Sequence, residues 1–363
     1  MTTIVGERVR DRLWRVASYV TTPLVPADYL DLLSPLRPGA DLRARVVAVR
    51  PETRDAVTLV LRPGASWRGH VPGQYVRVGI DVDGVRYWRA YSLTSPVDAP
   101  DGCISVTVKA IPDGVVSGYV RDRVRPGQLV QLDQATGDFT LPSQRPGKVL
   151  FVTAGSGITP VMGMLRNAVH ELDDVVLVHS APTRDDVIFG DELRGLAAEG
   201  RIRLLEQHTD TVGMLDAARL AALVPDLAQR ETWACGPTGM LDLLERHWDA
   251  VGAAGRLHTE RFRAGVVAVG EGGTVRFTGS DTVVEAGAAT PILDAGEAAG
   301  VLMPSGCRMG VCFGCVLPLR EGVVRDLRNG DVTTAAPGDG VLIQTCISAA
   351  AGTCDIDVTR SSA

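Results

Sequence analysis

The hydrophobic pattern changes its period along the chain and separates regions with different predicted secondary structure. Between residues 43 and 145, short runs of apolar and β-branched residues recur at close spacing, at Ala44–Val49, Ala56–Leu61, Tyr75–Val78 and Cys103–Lys109. Pro-Gly pairs lie between several of these runs and predict turns. Many short strands at this spacing are typical of an antiparallel β-barrel.

Residues 146–263 show a longer period. Predicted strands at Val149–Val152, Val175–His179, Ile202–Leu205 and Thr232–Ala234 alternate with helical patterns at 160–171, 191–199, 215–224 and 239–250. This alternation predicts βαβ units and a parallel sheet.

The last region follows a glycine-rich linker at 264–273. Apolar strands at 274–278 and 282–285 and a helix near 290–299 predict a compact α+β domain over residues 274–363. Residues 1–42 form an N-terminal extension with several prolines. The sequence therefore predicts three domains, at 43–145, 146–263 and 274–363.

Composition narrows the class of protein. The 363 residues are 45% hydrophobic and 22% charged, which is typical of folded domains. The net charge of −6 is concentrated in residues 264–363, which contain eleven acidic residues and six arginines. This acidic surface can dock a basic partner surface, or it can serve solubility alone. Basic runs interleaved with aromatic residues are absent, which argues against nucleic-acid binding. The N-terminal stretch is not apolar enough for a signal peptide or a membrane span, and we expect a cytoplasmic protein.

The most specific motif is a set of four cysteines. Cys307, Cys312 and Cys315 are spaced C-x4-C-x2-C, and Cys346 follows at a distance. This spacing is that of plant-type [2Fe–2S] ligands, and nearby glycines let the backbone wrap around a cluster. Zinc is the alternative, although zinc sites usually use two short cysteine pairs. Thiolate ligands of this kind also indicate a reducing compartment.

Two segments of the barrel region carry candidate binding residues. Arg89 can pair with a diphosphate, Tyr91 can cover a flat ring and Ser92 can hydrogen-bond a ring nitrogen. Further on, Lys109 ends a strand and Gly114–Ser117 begins a helix. The first turn of that helix can bind a phosphate, or Ser117 can simply be its N-cap.

The parallel-sheet region has its own candidates at strand ends. Gly155, Ser156 and Gly157 form a turn before Thr159 and Pro160, which we expect to cap and begin a helix that receives a pyrophosphate. A second turn follows a later strand and contains Cys235, Gly236, Pro237 and Met240. Ser180 and Arg184 follow another strand and suit a ribose 2′-phosphate, which favours NADPH over NADH.

Together these motifs resemble, in order, the ferredoxin–NADP reductase superfamily, and specifically its members with a plant-type ferredoxin domain fused at the C-terminus. The resemblance implies a flavin-binding antiparallel β-barrel, a parallel-sheet NAD(P)H-binding domain and a β-grasp-like [2Fe–2S] domain. It implies flavin binding by Arg89, Ala90, Tyr91, Ser92 and Leu93, and flavin phosphate binding by Lys109, Gly114, Val115, Val116 and Ser117. It implies nicotinamide nucleotide binding by Gly155, Ser156, Gly157, Thr159, Pro160, Cys235, Gly236, Pro237 and Met240. Ser92, Cys235 and Glu260 are then the candidate catalytic residues.

The resemblance also implies a function. NADPH would reduce a flavin, and electrons would pass through the [2Fe–2S] cluster to a protein acceptor. The segment Thr21–Pro26 resembles actinobacterial reductases that serve membrane acyl-CoA desaturases. A short arginine-rich helix in the N-terminal extension could lie on a membrane or a partner, although its leucine, tryptophan and valine spacing favours packing against its own domain. Alternative acceptors are a Rieske-type, P450 or diiron oxygenase, and a different class of function is a non-catalytic redox sensor. The segment Gln134–Phe139 departs from the family pattern, so both FAD and FMN remain open at this point, with FAD expected.

Overall fold

The computed structural model describes residues 30–31, 33–112, 114–262, 271–306, 308, 310 and 313–359. Several sequence predictions fall on other residues: the segment Thr21–Pro26, most of the linker, and the candidate cluster ligands Cys307 and Cys312 lie outside the described residues.

The first domain is built on an antiparallel sheet, as the short strand pattern predicts. Its elements are β1 (Arg43–Thr53), β2 (Ala56–Pro63), β3 (Tyr75–Val82), β4 (Val85–Ser92), β5 (Ile104–Lys109), α1 (Val115–Arg123) and β6 (Leu129–Leu132). The strand order is β4-β3-β6-β1-β2-β5. Strand β2 is buried along most of its length, so it reads as a continuous apolar run and not as an alternating one.

The second domain has a parallel sheet with the strand order β11-β10-β7-β8-β9. Its strands are β7 (Lys148–Ala154), β8 (Asp174–Ala181), β9 (Arg203–His208), β10 (Glu231–Cys235) and β11 (Leu257–Glu260). Its helices are α2 (Ile158–Ala168), α3 (Gly190–Ala198), α4 (Thr209–Val212), α5 (Ala217–Leu223) and α6 (Thr238–Ala250). Parallel strands bring all their carboxyl ends to one edge of the sheet, and the candidate nucleotide motifs follow β7, β8 and β10 at that edge.

The strand carrying Glu260 was not predicted from the hydrophobic pattern. Strand β11 has only four residues, none of them fully buried, and its sequence Leu-His-Thr-Glu lacks a β-branched run. It forms because it pairs with β10, where Cys235 and Glu260 lie side by side in register. Tertiary pairing, not local propensity, places this carboxylate.

The third domain is a mixed sheet with one helix. Its elements are β12 (Gly273–Thr278), β13 (Thr282–Ala286), α7 (Ile292–Ala298), β14 (Val316–Asp326), β15 (Val332–Ala335), β16 (Val341–Gln344) and β17 (Ser348–Asp357). The strand order is β13-β12-β17-β14-β15, and β16 pairs with β14. Strand β12 therefore starts at the last residue of the predicted linker. Helix α7 covers the sheet, because Ile292 and Phe277 share one core.

Two predicted helix caps are wrong. Helix α1 begins after Gly114, and Ser117 lies in its first turn, where its Oγ accepts a hydrogen bond from the Ile111 backbone N–H at 3.3 Å. Similarly, Thr159 is the second residue of α2, because a 3₁₀ turn at Gly155–Gly157 continues directly into this helix. The Thr159 hydroxyl instead donates to the Ser156 carbonyl.

In the part of the chain that the structure describes, no helix has both the length and the apolar character needed to cross a bilayer.

Candidate active site

A cavity of about 720 Å³ lies where the three domains meet. The first domain contributes the carboxyl end of β4, the end of β5 and the start of α1. The second contributes the turn after β7 and the end of β11. The third contributes α7 and Arg308 of the loop at 305–315, which we call the cluster loop. Of the predicted binding residues, those that line it are Arg89, Ala90, Tyr91, Ser92, Lys109, Gly114, Val115, Val116, Ser117, Ser156 and Thr159, together with Glu260 and Cys346.

The β4 strand end presents an aromatic face and a hydroxyl to the cavity. Burial raises the pKa of Tyr91 to about 12, so its hydroxyl stays protonated. Ser92 is 3% exposed, and none of the described residues hydrogen-bonds its Oγ. A buried hydroxyl with no protein partner can take one from a bound molecule or from water. Arg89 stays close to the strand, where its guanidinium donates to the Trp88 carbonyl at 2.8 Å.

The side chain of one predicted flavin residue lies in the core of the first domain. Leu93 is fully buried and packs within the barrel, so its side chain does not line the cavity. The alternation of a strand explains this difference, because Ser92 and Leu93 point to opposite faces.

The phosphate-binding segment faces the same cavity. Lys109 at the end of β5 pairs with Asp55 at 3.3 Å, and residues 114–117 provide the first turn of α1. Helix α1 has no side-chain cap, so its first N–H groups and the positive end of its dipole are available to an anion. Basic residues Arg121 and Arg123 lie in the last turn, where they complement the dipole.

Glu260 is the carboxylate with the largest upward pKa shift in the cavity. Burial raises the pKa of Glu260 to about 8, so this group is mostly protonated at neutral pH. Within the described parts of the chain, its Oε2 atom has no hydrogen-bond partner. A protonated carboxyl that projects into the cavity can hold and deliver a proton.

Cys235 lies beside Glu260 but does not line the cavity. Its side chain is fully buried, and burial followed by the Glu260 carboxylate raises the pKa of its thiol well above the usual value. The group is therefore a neutral thiol and not a nucleophilic thiolate. Gly236 and Pro237 form the turn from β10 into α6, and Met240 lies in the first turn of that helix. All three residues are outside the cavity lining.

The turn after β7 packs directly on the turn after β10. A Cβ on Gly157 would lie 2.0 Å from the Cys235 carbonyl oxygen, so only glycine fits there. Gly155 has a φ of +54°, in the left-handed region. These contacts bring the backbone amides of both turns to the carboxyl edge of the sheet, although Gly155, Gly157 and Pro160 do not line the cavity itself.

The candidate ribose-binding residues lie further along this edge. Ser180 is buried at the end of β8, and Arg184 begins the 3₁₀ turn Arg184–Asp186. Asp186 is engaged by its neighbours: it accepts hydrogen bonds from Thr183, and Arg54 lies 3.1 Å away. These contacts occupy the carboxylate that would otherwise be available to a ribose hydroxyl.

The third domain closes the cavity with the cluster region. Cys346 lines the cavity, and Cys315 is 1% exposed. Both cysteines pack with Leu293 and Ile347 in a small apolar cluster. Two buried thiols in an apolar setting, close to a loop with two further cysteines in sequence, fit a thiolate-ligated iron–sulfur group.

The cluster loop adopts strained backbone conformations. Arg308 and Phe313 have positive φ values of 59° and 55°, and Gly310 has a φ of 77°. Arg308 forms ion pairs with Asp294 and Glu297 on α7. Gly314 lies against the barrel, because a Cβ there would be 3.2 Å from the Arg77 guanidinium.

Sequence reasoning missed several residues of the lining. Tyr75, Tyr87, Thr107, Ile111 and Phe262 come from the first two domains, and Pro291, Asp294, Glu297, Ala298, Arg308 and Leu327 come from the third. Alternation along β4 and β5 points to Tyr87 and Thr107, which lie two residues from Arg89 and Lys109. The third-domain residues could not be found this way, because they depend on how the domains dock.

Comparison with protein families assigns each domain. Residues 47–141 match an oxidoreductase FAD-binding domain, residues 151–246 an oxidoreductase NAD-binding domain, and residues 275–351 a 2Fe-2S iron-sulfur cluster binding domain. These matches establish FAD, a nicotinamide nucleotide and a [2Fe–2S] cluster as the cofactors, and they decide against zinc and FMN.

Similar proteins cover most of the chain. An NADPH oxidoreductase of Mycobacterium tuberculosis is 48% identical over 353 residues, with 95% of this chain and 92% of that protein covered. The ferredoxin reductase component of a 3-ketosteroid-9-alpha-monooxygenase from the same species is 31% identical over 301 residues, covering 77% and 82%. The structure of phthalate dioxygenase reductase has the same fold, with a TM-score of 0.60, 23% identity, and 87% and 97% coverage.

Proposed function

Because the chain belongs to the ferredoxin reductase family whose members join FAD-binding, NAD-binding and [2Fe–2S] domains, we propose that it takes electrons from NADPH and delivers them to a separate protein acceptor. The chain is an oxidoreductase that transfers electrons from NAD(P)H through FAD and a [2Fe–2S] cluster. This assignment replaces the hypothesis of a non-catalytic sensor. The coenzyme preference and the acceptor are the parts that we propose.

The observation that carries the proposal is the shared cavity. Tyr91 and Ser92 of the barrel, Glu260 of the parallel-sheet domain and Cys346 of the third domain all line it. FAD accepts a hydride and the cluster carries single electrons, so together they convert a two-electron donor into a one-electron donor. The chain brings the residues for both groups into one cavity.

Each residue group has a defined task in this proposal. Tyr91 covers the flat ring, and the Ser92 hydroxyl is a hydrogen-bond donor or acceptor for it. The first turn of α1 and Lys109 bind the negatively charged phosphates. Glu260 holds a proton at neutral pH, and the third domain excludes water from the cluster side of the cavity. Cys307, Cys312, Cys315 and Cys346 are the proposed cluster ligands.

NADPH is the proposed coenzyme. A preference for NADH usually depends on an acidic residue that binds the ribose hydroxyls. Asp186 is held by Thr183 and Arg54, whereas Asp185 is exposed. The exposed Arg184 guanidinium, with the nearby Ser180 hydroxyl, is the proposed binding group for a 2′-phosphate. The name of the most identical relative described above, an NADPH oxidoreductase, supports the same choice.

We propose a membrane fatty acyl-CoA desaturase as the acceptor, because of the resemblance of the N-terminal extension, with peripheral association at the membrane. The second candidate is an oxygenase component, favoured by the relative that serves a 3-ketosteroid-9-alpha-monooxygenase. Reconstitution of the reductase with each acceptor in the presence of NADPH decides between them. A desaturated acyl-CoA product supports the first, and product formed only with the oxygenase supports the second.

The order of electron flow has its own test. Cys346→Ser, or Cys312→Ser, should abolish reduction of the protein acceptor but leave NADPH-dependent reduction of ferricyanide largely intact. Cys354→Ala is the matched control, because Cys354 is a buried thiol in the same domain, packed in the sheet core away from the cavity. Equal loss of both activities in Cys346→Ser would contradict the proposed order.

A further inference from the structure

A second cavity of about 500 Å³ lies between the barrel and the parallel-sheet domain. Its lining includes apolar side chains and six ionisable residues, which are Arg50, Glu52, Asp101, His170, Arg166 and Glu192. The proposed chemistry of NADPH, FAD and the cluster takes place in the first cavity and assigns no role to this one.

A short chain of hydrogen bonds joins the two cavities. Thr107 lines the first cavity, whereas Thr58 and Glu52 line the second. The Thr107 and Thr58 hydroxyls are 2.7 Å apart, and the Thr58 hydroxyl donates to Glu52 Oε1 at 2.6 Å. Both threonines are 4% exposed, so water does not interrupt the chain.

The backbone explains why the two hydroxyls meet. Strands β2 and β5 pair with Thr58 directly opposite Thr107, and both side chains point away from the barrel core. Neighbouring positions on these strands are valine or leucine residues that fill the core. A valine at either position would fill the same space, so shape alone does not explain the two hydroxyls.

The chain has the polarity that proton transfer requires. A hydroxyl donates one hydrogen bond and accepts two, so each threonine can receive a proton on one side and release one on the other. Because Thr58 donates to Glu52, its lone pairs remain for a hydrogen bond from Thr107. At the far end, burial raises the pKa of Glu52, while its bond from Thr58 and the nearby Arg166 act in the opposite direction.

The reaction leaves a proton that must go to solvent. NADPH gives up a hydride, which contains two electrons and one proton, and becomes NADP⁺. An acceptor that takes only electrons leaves that proton behind, so each NADPH oxidised releases one proton. Glu260 can hold a proton in the cavity, and among the described residues its Oε2 has no hydrogen-bond partner.

We propose that Thr107, Thr58 and Glu52 form a proton relay that connects the first cavity to the second cavity. A proton that reaches Thr107 Oγ1 displaces the Thr107 proton to Thr58, and the Thr58 proton passes to Glu52 Oε1. Glu52 then releases it into the second cavity, and rotation of both hydroxyls restores the chain. The relay rests on the proposed function, because it serves an acceptor that takes electrons alone.

Single-turnover stopped flow tests the relay, with ferricyanide as an electron-only acceptor. The reaction NADPH + 2 Fe(CN)₆³⁻ → NADP⁺ + 2 Fe(CN)₆⁴⁻ + H⁺ is followed by loss of ferricyanide colour and by a pH-indicator dye in weakly buffered solution. In the wild type both signals should appear together. In Thr58→Val and Glu52→Gln the rate of proton release should fall on the order of 100-fold below the rate of ferricyanide reduction, at the lower end of measured effects of proton-transfer groups.

Two variants separate the relay from packing. Thr58→Ser retains the hydroxyl and should restore the wild-type proton signal. Thr94→Val is the matched control, because the Thr94 hydroxyl is also buried and bonded to another hydroxyl, that of Ser105 at 2.8 Å, but lines neither cavity. We expect no lag in this variant.

Infrared titration of flavin-free protein gives a readout that does not depend on turnover. The infrared band of the Glu52 carboxyl is the one that disappears in Glu52→Gln. This band should titrate at a higher pH in Thr58→Val than in the wild type, because the hydrogen bond from Thr58 lowers the pKa of Glu52. It should be unchanged in Thr94→Val. If Thr58→Val does not fold, Glu52→Gln, which retains the side-chain shape, decides the kinetic test.

The outcomes separate the relay from the proposed function. Simultaneous signals in Thr58→Val, or an equal lag in Thr94→Val, overturn the relay and leave the function standing. Wild-type protein that does not reduce ferricyanide with NADPH overturns both.

Discussion

The wild type should lose unfolding free energy as the pH rises from 6.5 to 8, and replacement of Glu260 by glutamine should remove this loss. The pKa of Glu260 is about 8 in the folded protein, against an ordinary value of 4.5 in the unfolded chain. Between these values the unfolded chain has released a proton that the folded protein retains. The free energy of unfolding therefore falls as the pH rises through this window, by about 1.36 kcal/mol for each pH unit.

His179 has the opposite effect at lower pH. This residue is fully buried on β8, its ring accepts or donates a hydrogen bond with Thr153 at 2.8 Å, and burial lowers its pKa to about 3 from 6.5. The unfolded chain then binds the extra proton, so stability rises with pH up to 6.5. The two slopes cancel between pH 4.5 and 6.5, and only the Glu260 slope remains between pH 6.5 and 8, where it amounts to about 2 kcal/mol.

Urea unfolding of the flavin-free protein at pH 6.5 and 8 measures this difference. Fluorescence of Trp233 and Trp248, which are both buried in the parallel-sheet domain, reports on the domain that contains Glu260. The wild type should lose about 2 kcal/mol of unfolding free energy more than Glu260→Gln over this interval. Glu199→Gln, at an exposed position in the same domain, should behave as the wild type. A loss of equal size in Glu260→Gln would refute the assigned pKa and its cause.

Three further predictions follow from the same domain. His179→Gln should give an unfolding free energy that falls between pH 4.5 and 6.5 by about 1.36 kcal/mol per pH unit, where the wild type stays level in the same urea assay. Gly157→Ala should weaken NADPH binding, because the new Cβ would lie 2.0 Å from the Cys235 carbonyl oxygen. Gly118→Ala is the control and should have a much smaller effect, because a Cβ on Gly118 would enter open space. Equal NADPH affinities of the two variants in a fluorescence titration would contradict this prediction. Arg230→Met should cost about 1–3 kcal/mol in urea unfolding, because it removes the hydrogen bonds that the buried guanidinium donates to Asp174 and Asp226, whose own side chains are 45% and 29% exposed. A change below about 0.5 kcal/mol would reject that role.

Local patterns in the sequence were sufficient for most strands of the first two domains and for one wall of the site, but not for β11 or for β14 to β17 of the third domain. The short alternating apolar runs predicted the strands of the first domain, and the longer period predicted the parallel sheet. Strand β4 presents Tyr91 and Ser92 to the cavity, as the sequence motif led us to expect. The side chain of Leu93 lies in the core and not in the cavity lining, because a motif names consecutive residues, whereas a strand sends them to opposite faces.

The rest of the site depends on contacts that are distant in sequence. Strand β11 exists through its pairing with β10, so its short polar sequence carries no signal of its own. Thr58 and Thr107 are 49 positions apart and meet only through the register of β2 and β5. The third-domain wall of the cavity, including Arg308 and Glu297, depends on domain docking, which no local pattern encodes.

The position of β17 has a consequence for how the protein matures. This strand lies between β12 and β14 in the sheet of the third domain, so the sheet has a gap until residues 348–357 are in place. During synthesis the first two domains can fold as they leave the ribosome, because all their strands precede residue 263. The third domain must wait for its last strand, and iron–sulfur loading is therefore expected to come after translation of that strand, onto a protein whose other domains have already folded.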